Sequence, residues 1–321
     1  MSQKKKLSKR LLALVITLSV IAVFLSAILI TNIFIPLKYL SAYINVKADK
    51  LQNGEMRISF VDVGDGDCTV VEFPDGKVAL IDGANGSYNN ELKIFKKLNA
   101  FGIDKIDYLF CTSSASKRCG GLAEIVKYKS IGKVYAPIYK NGGVTEAYRN
   151  FRKEVKKKDK NIIECTYGAG EYNEEYGYCL FVLYPENNSQ DNGSESVTSS
   201  SIWISYGGVN ILLLGDLTAS QLNDLYETYT VTGFEINGHS IILEDCNVVK
   251  VPNGGNKSGT FTQLYDLIQA ETAIISTDKE PALRPVADVD NFSNGIYRTN
   301  INGTVTLSIN DGNYRIKKER Q

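Results

Sequence analysis

The sequence predicts an α/β fold of two facing β-sheets with helices on the outside, set behind one N-terminal transmembrane helix. Three observations carry this reading. A charge-free apolar run covers Leu11–Leu37. From Met56 onward, short β-rich runs bounded by Gly, Pro and Asp turns alternate with segments of helical spacing. That layout then repeats in the second half of the chain. Strand pairs alternating with helices in two similar halves bury their apolar faces as two stacked sheets with helices outside.

The apolar run comes first. About 20 apolar residues cross a bilayer as a helix, so Leu11–Leu37 is long enough to span with some tilt. Lys4, Lys5, Lys6, Lys9 and Arg10 precede it, and positive flanks stay on the cytoplasmic side. The expected organisation is a basic cytoplasmic tail (1–10), a signal-anchor helix (11–37), a juxtamembrane linker (38–55) and an extracytoplasmic domain (56–321). A cleaved signal peptide is the rival reading, although its apolar region is usually about 7–15 residues. Nothing after Leu37 is apolar over a comparable length, so a single pass through the cell membrane is expected.

The chain has 321 residues and balances 36 basic against 36 acidic side chains, unevenly distributed. Residues 1–54 carry eight Lys or Arg and one Asp, which leaves 28 basic against 35 acidic in the rest. A nucleic-acid-binding surface normally has the opposite sign, because phosphate neutralisation supplies most non-specific affinity. Direct nucleic-acid binding is therefore not expected, local basic patches aside.

Within the domain, Arg57–Val63, Cys68–Phe73 and Lys77–Ile81 read as a β-meander. Asn89–Phe101 has helical spacing and stops at Gly102. Tyr108–Cys111 is a short buried strand, followed by a polar loop and the pair Gly120-Gly121 opening a helix to about Tyr128. Val134–Ala136 is a strand closed by Pro137, and Thr145–Lys158 is a basic helix with Ala147, Tyr148, Phe151 and Val155 on one face. In the second half, Ile162–Thr166 and Cys179–Leu183 are strands, and residues 186–201 form a polar mobile loop. Ser201–Tyr206 and Val209–Leu214 make a hairpin ending at Gly215-Asp216, before a helix whose N-cap is Thr218. Asn247–Val251, a glycine-rich turn, the helix Thr260–Ala270, the strand Thr272–Ser276 and strands near 304–309 and 313–317 complete the chain.

Six cysteines (Cys68, Cys111, Cys119, Cys165, Cys179 and Cys246) fall in a compartment that permits disulfides. Cys165 and Cys179 are placed to face each other across a hairpin, and Cys111 and Cys119 to close the loop between them. Buried reduced thiols, behaving as small hydrophobes, are the alternative.

These residues resemble the extracellular metallo-β-lactamase-fold domain of the competence protein ComEC and its stand-alone relatives. The family's D-V-G-Q-G-D is matched by Asp62-Val63-Gly64-Asp65-Gly66-Asp67, and its L-I-D-G-G by Leu80-Ile81-Asp82-Gly83-Ala84. Gly102–Asp107, Gly120-Gly121-Leu122 and Leu214-Gly215-Asp216 fit further motifs, and Gly295–Thr299 with Asn302-Gly303-Thr304 resembles the closing strands. The resemblance spans residues 56–316 and implies an αββα sandwich.

It also implies where a metal would sit, and there the chain departs. The family loop reads T-H-P-H-x-D-H-x-G-G-L; its ligand positions fall here on Ser113, Ala115, Lys117 and Arg118. A later V-P-H-H-G-S turn is replaced by Val251-Pro252-Asn253-Gly254-Gly255-Asn256, and of the placed ligands only Asp216 remains. Zinc-type sites need imidazole, carboxylate or thiolate lone pairs converging on one point, and Lys117 and Arg118 put cations there instead. His239 is the sole histidine in the chain, so a family-type dinuclear centre is excluded by count. No metal, cofactor or catalytic residue is expected, and family-type hydrolysis is not carried over.

Asp62, Asp67, Asp82 and Asp216 would then form a buried anionic cluster, costly unless neutralised. One expectation is that Lys117 and Arg118 replace the metal's charge by pairing with Asp216 or Asp82. The other is that both cations face solvent while Asp216 is protonated or bonded to backbone amides. A rebuilt thiolate site from Cys68, Cys111, Cys119 and Asp216 is a further alternative.

Three functions are weighed on this basis. The leading one is a membrane-anchored pseudoenzyme with a binding or scaffolding role toward a protein partner at the cell surface. The others are a hydrolase with a non-standard site, such as Ser113 as nucleophile with Lys117 as base, and an accessory to DNA uptake.

Overall fold

The computed structural model describes residues 2–34, 36–44, 46–139, 144–185, 199–259, 261–279 and 292–320. A first helix, α1 (Ser2–Phe34), contains a span from Lys9 to Ile30 with mean hydropathy 2.9 and no burial against the rest of the chain. Among the described residues it is the one helix long and apolar enough to cross a membrane.

The domain is built from strands β1 (Met56–Phe60), β2 (Thr69–Glu72), β3 (Val78–Ile81), helix α2 (Tyr88–Ala100), β4 (Lys105–Phe110), helices α3 (Ser116–Cys119) and α4 (Leu122–Tyr128), β5 (Ser130–Ala136), helix α5 (Glu146–Lys157) and β6 (Ile162–Glu164). The second half brings β7 (Gly170–Asn173), β8 (Tyr178–Tyr184), β9 (Ser201–Tyr206), β10 (Val209–Leu213), helix α6 (Ala219–Thr232), the hairpin β11 (Phe234–Ile236) and β12 (His239–Ile241), then β13 (Val248–Lys250). Helix α7 (Thr262–Ile268), β14 (Thr272–Ile275), β15 (Gly295–Arg298), β16 (Val305–Asn310) and β17 (Asn313–Lys318) close it. The first sheet has the order β17-β16-β1-β2-β3-β4-β5-β6 and the second β15-β14-β13-β10-β9-β8-β7.

Strand alternation sorts the apolar side chains into three layers. Met56, Ile58, Phe60, Val71, Ile81 and Phe110 point between the sheets, where they meet Leu180, Val182, Ile204, Ile211 and Val248. Their neighbours Val70, Leu80, Leu109 and Val134 point outward and pack under α2, α4 and α5 through Phe95, Ile125 and Phe151. On the far side, Trp203, Leu212 and Val249 pack under α6 and α7 through Leu225 and Leu264. Two sheets packed face to face, each with helices over most of its outer face, give the αββα sandwich.

Local signals place the helices. Thr145 accepts from the Tyr148 N–H and caps α5, whose buried stripe is Tyr148, Phe151 and Val155. Thr218 and Gln221 form a reciprocal capping box at the start of α6.

Part of the segment expected as a juxtamembrane linker (38–55) packs on the domain. A short 3₁₀ turn, Leu37–Ala42, lies against α2, and Tyr39 and Ala42 are wholly buried. The Tyr39 ring stacks on Phe95 at 4.5 Å. Lys38 pairs with Glu91 at 2.9 Å, and Asn99 Nδ2 donates to the Ala42 carbonyl at 2.8 Å. Apolar side chains beside an exposed helix are removed from water by docking, and this overrides the mixed charge that made the segment look like a linker. The disulfides are a second correction: all six cysteines are free and buried. Cys165 lies in the layer between the sheets and Cys179 in the layer under α6, so they cannot meet. Of the polar loop expected at 186–201, residues 186–198 lie outside the described residues.

Candidate functional site: a charge cluster at the strand ends

Strands β3, β4 and β5 run parallel, as do β10, β13 and β14. Parallel strands send their C-terminal ends, and the loops after them, to the same edge of a sheet, which is where α/β folds build sites. Asp82 follows β3, residues 111–119 follow β4, Gly215-Asp216 follow β10, and Lys250 ends β13. The β1–β2 loop adds Asp67. These loops are pressed together. A Cβ at Gly120 would lie 2.3 Å from the Asn85 carbonyl carbon, and one at Gly66 2.7 Å from the Lys117 carbonyl oxygen. Only glycine allows that approach, and it brings Arg118 to the centre.

Arg118 is 3% exposed. Its Nε donates to Asp216 Oδ2 at 3.0 Å and its Nη2 to Asp216 Oδ1 at 2.5 Å, a bidentate pair. Nη2 also donates to the Gly215 carbonyl at 3.0 Å. Nη1 meets Asp67 Oδ2 and lies 3.4 Å from Asp82 Oδ2. A guanidinium has five N–H donors, and this site offers an acceptor to each.

The carboxylates are held from behind. Asp82, in a left-handed backbone conformation (φ +63°), accepts from the Thr112 N–H at 2.8 Å and hydroxyl at 2.7 Å. Asp67 Oδ1 pairs with Lys250 Nζ, and Asp216 receives Lys117 Nζ at 3.4 Å. Lys250 is 3% exposed because alternation along β13 turns it, like Val248, toward the interior between the sheets. It was missed in the sequence, where its one signal is a lysine inside the apolar run Val248-Val249-Lys250-Val251.

Burial and these contacts push the titrations apart. Burial raises the Asp82 carboxyl to about 8 despite the Thr112 hydrogen bonds, and the Asp216 charge adds to the rise. Burial acts on Asp216 in the same sense, yet the Arg118 guanidinium, with Lys117 and Lys250, holds it below the usual carboxylate range. Burial, then the Arg118 cation, pulls Lys250 well below the ordinary lysine range against the attraction of Asp216 and Asp82.

The remaining candidates separate into near and far. Asn253 (φ +52°) sits beside the cluster; its N–H donates to the Gly215 carbonyl at 3.2 Å and its Nδ2 to that of Leu217 at 2.8 Å. Ser113 is buried, its Oγ accepting from the Ala115 N–H at 3.1 Å, while the Lys117 side chain is 39% exposed at the rim. Asp62 stands apart from the cluster in which it was expected. It pairs with Arg320 at 2.6 Å and Lys93 at 3.7 Å; β16 pairs with β1 and β17 with β16, and Arg320 follows β17. Cys111 and Cys119 lie side by side, the Cys111 thiol raised by burial and the Cys119 thiol lowered by its hydrogen bond with Cys111. His239 is in the β11–β12 hairpin against Tyr172 and Phe181.

A metal of the kind the family resemblance implies does not fit these residues. Among the described residues no three His, Cys, Asp or Glu side chains are grouped to hold one. The oxygens that would ligate it already face the guanidinium and ammonium groups of Arg118 and Lys250.

The αββα architecture with its site at the strand ends is the metallo-β-lactamase fold, and the chain shares it with CmlA β-hydroxylase (E377D mutant; TM-score 0.51, 13% identity, 79% of this chain and 54% of that one). The metallo-β-lactamase-fold protein YhfI of Bacillus subtilis aligns over 82% of this chain and all of its own, at TM-score 0.48 and 8% identity. In sequence, the chain is similar to ComE operon protein 3 of Bacillus subtilis (strain 168), 24% identical over 282 residues. That match covers 79% of this chain and 33% of the relative, so the chain spans about a third of the relative's length. No family model matches.

Proposed function

We propose that this is a membrane-anchored, extracytoplasmic, ComEC-like protein whose former metal centre has become an ion-pair cluster. It acts by binding or scaffolding, toward a protein partner at the cell surface, and not by metal-dependent hydrolysis. The observation that carries the reading is the Arg118 guanidinium set among Asp67, Asp82 and Asp216. A cation in that position repels a divalent ion at any usable distance. Every N–H it offers is spoken for, so it is no free electrophile for a substrate either. The apolar span Lys9–Ile30, with the basic residues before it, supports one pass with the domain outside the cytoplasm. The full chain in detergent should show no phosphodiesterase turnover on a chromogenic phosphodiester with added manganese or zinc. Metal-stimulated turnover that disappears in Asp216→Asn would overturn the proposal.

A further inference from the structure

The helix roof leaves part of the first sheet uncovered. At its β17-β16-β1 edge the outward positions are polar: Arg57, Thr306, Ser308 and Lys317, in place of the apolar residues found under α2. Between that face and the C-terminal half of α2 lies a groove of about 480 Å³ floored by these side chains and closed by Lys97 and Phe101. A second cavity of about 540 Å³ continues it past Lys97, Thr304 and Glu319 toward Lys93, Lys96 and Arg320. Together they are lined by eight Lys or Arg and four Asp or Glu, within a domain whose overall balance is acidic.

The four acids are engaged. Asp49 takes Arg57 at 3.1 Å and Lys317 at 3.7 Å, and Asp62 takes Arg320 and Lys93. Glu319 accepts the Thr304 N–H, and Glu55 the Gln52 N–H, each at 2.9 Å. Lys50, Lys96, Lys97 and Lys318 have no ion-pair partner among the described residues. Lys97 is the most telling of them. It is half-buried over the Phe101 ring at 5.2 Å, and burial, with Arg57 and Lys317 nearby, depresses its basicity against the pull of Glu319 and Asp49. A multivalent oxyanion would relieve that strain, and convergent lysines with threonine and serine hydroxyls are what a phosphate needs.

The groove also has a fixed place. The segment that docks along α2 is the one leaving α1, and four residues from Phe34 to Lys38 reach at most about 14 Å. Asp49, farther along, is tied to the Ala100 carbonyl at 2.8 Å. We propose that this groove binds phosphate-bearing anions, with the headgroups of anionic lipids beside the anchor as their source. The lipid source rests on the anchored reading above; the phosphate chemistry does not.

Two arms test it on the full chain. In zwitterionic detergent, calorimetric titration with tripolyphosphate should show saturable binding, weakened about tenfold or more in Lys97→Gln/Lys317→Gln. The exposed pair Lys317→Gln/Lys318→Gln should also weaken it, which guards against a folding defect at Lys97, whereas Lys153→Gln/Lys158→Gln on and just beyond α5 should leave it unchanged. In the second arm, amide exchange of 88–100 and 313–318 should slow in nanodiscs containing phosphatidylglycerol relative to phosphatidylcholine alone, and not in the groove variant. Binding in the first arm without protection in the second reassigns the site to a soluble phosphate. No binding in either arm, or equal loss in the α5 control, overturns the proposal.

Discussion

A guanidinium presents its donors in one plane as a rigid fork, and at Arg118 each donor meets an acceptor. Removing it leaves Asp82 with no ion-pair partner among the described residues and Asp67 and Asp216 with one lysine each, and breaking such a buried pair typically costs about 3–5 kcal/mol. Arg118→Ala should therefore lower unfolding free energy by that order in denaturant titration. Arg152→Ala, on the exposed face of α5, should stay within about 0.5 kcal/mol. Equal small losses in both would mean the cluster holds nothing. The cluster also carries opposite pH signatures. Asp82 is raised to about 8, so the folded state holds its proton more tightly than the unfolded chain, whose carboxyl titrates near 4. Its contribution is complete below pH about 4 and is lost as pH rises through 8, so wild type should lose stability relative to Asp82→Asn across that window. Asp216 is depressed, so its contribution is present above pH about 4 and lost as pH falls further. Melting temperatures of both Asn variants and wild type from pH 3 to 9 read both slopes. At this scale the sequence was half legible. Arg118 and Asp216 stood out because their motif positions are unmistakable. Lys250 did not, since a lysine's inward turn depends on strand register, and Asp62 misled because its partner Arg320 is 258 positions away.

At the scale of elements, the helices were readable from spacing and caps: Thr145 and Thr218 announce α5 and α6, and Tyr148, Phe151 and Val155 mark the buried stripe. The first strands were readable too, because Gly-Asp-Gly-Asp and Pro-Asp-Gly turns separate them, whereas β7 and the β11–β12 hairpin, short and only partly buried, were not read. The segment after α1 was not readable. Tyr39 and Ala42 are too few to show a pattern, and their burial requires α2, which is some 50 positions downstream. Docking there couples the segment that follows α1 to the domain. Tyr39→Ala should cost about 3–5 kcal/mol, as for other fully buried aromatics, and should speed amide exchange in α2. No change in either would show that the segment is a free tether after all.

For the molecule as a whole, the two-sheet architecture was legible because both halves alternate strands and helices. The site was legible only through the ligand types it lacks, since the chain has a single histidine, while its ion pairs are made across both halves. The same sandwich thus keeps the glycine turns and strand ends of a metal-binding fold and fills the centre with its own cations. A metal-content measurement tests this most directly. The full chain, incubated with excess zinc and then desalted, is predicted to retain far less than one equivalent, with no change in melting temperature. One equivalent retained by wild type and lost in Asp216→Asn would contradict the account.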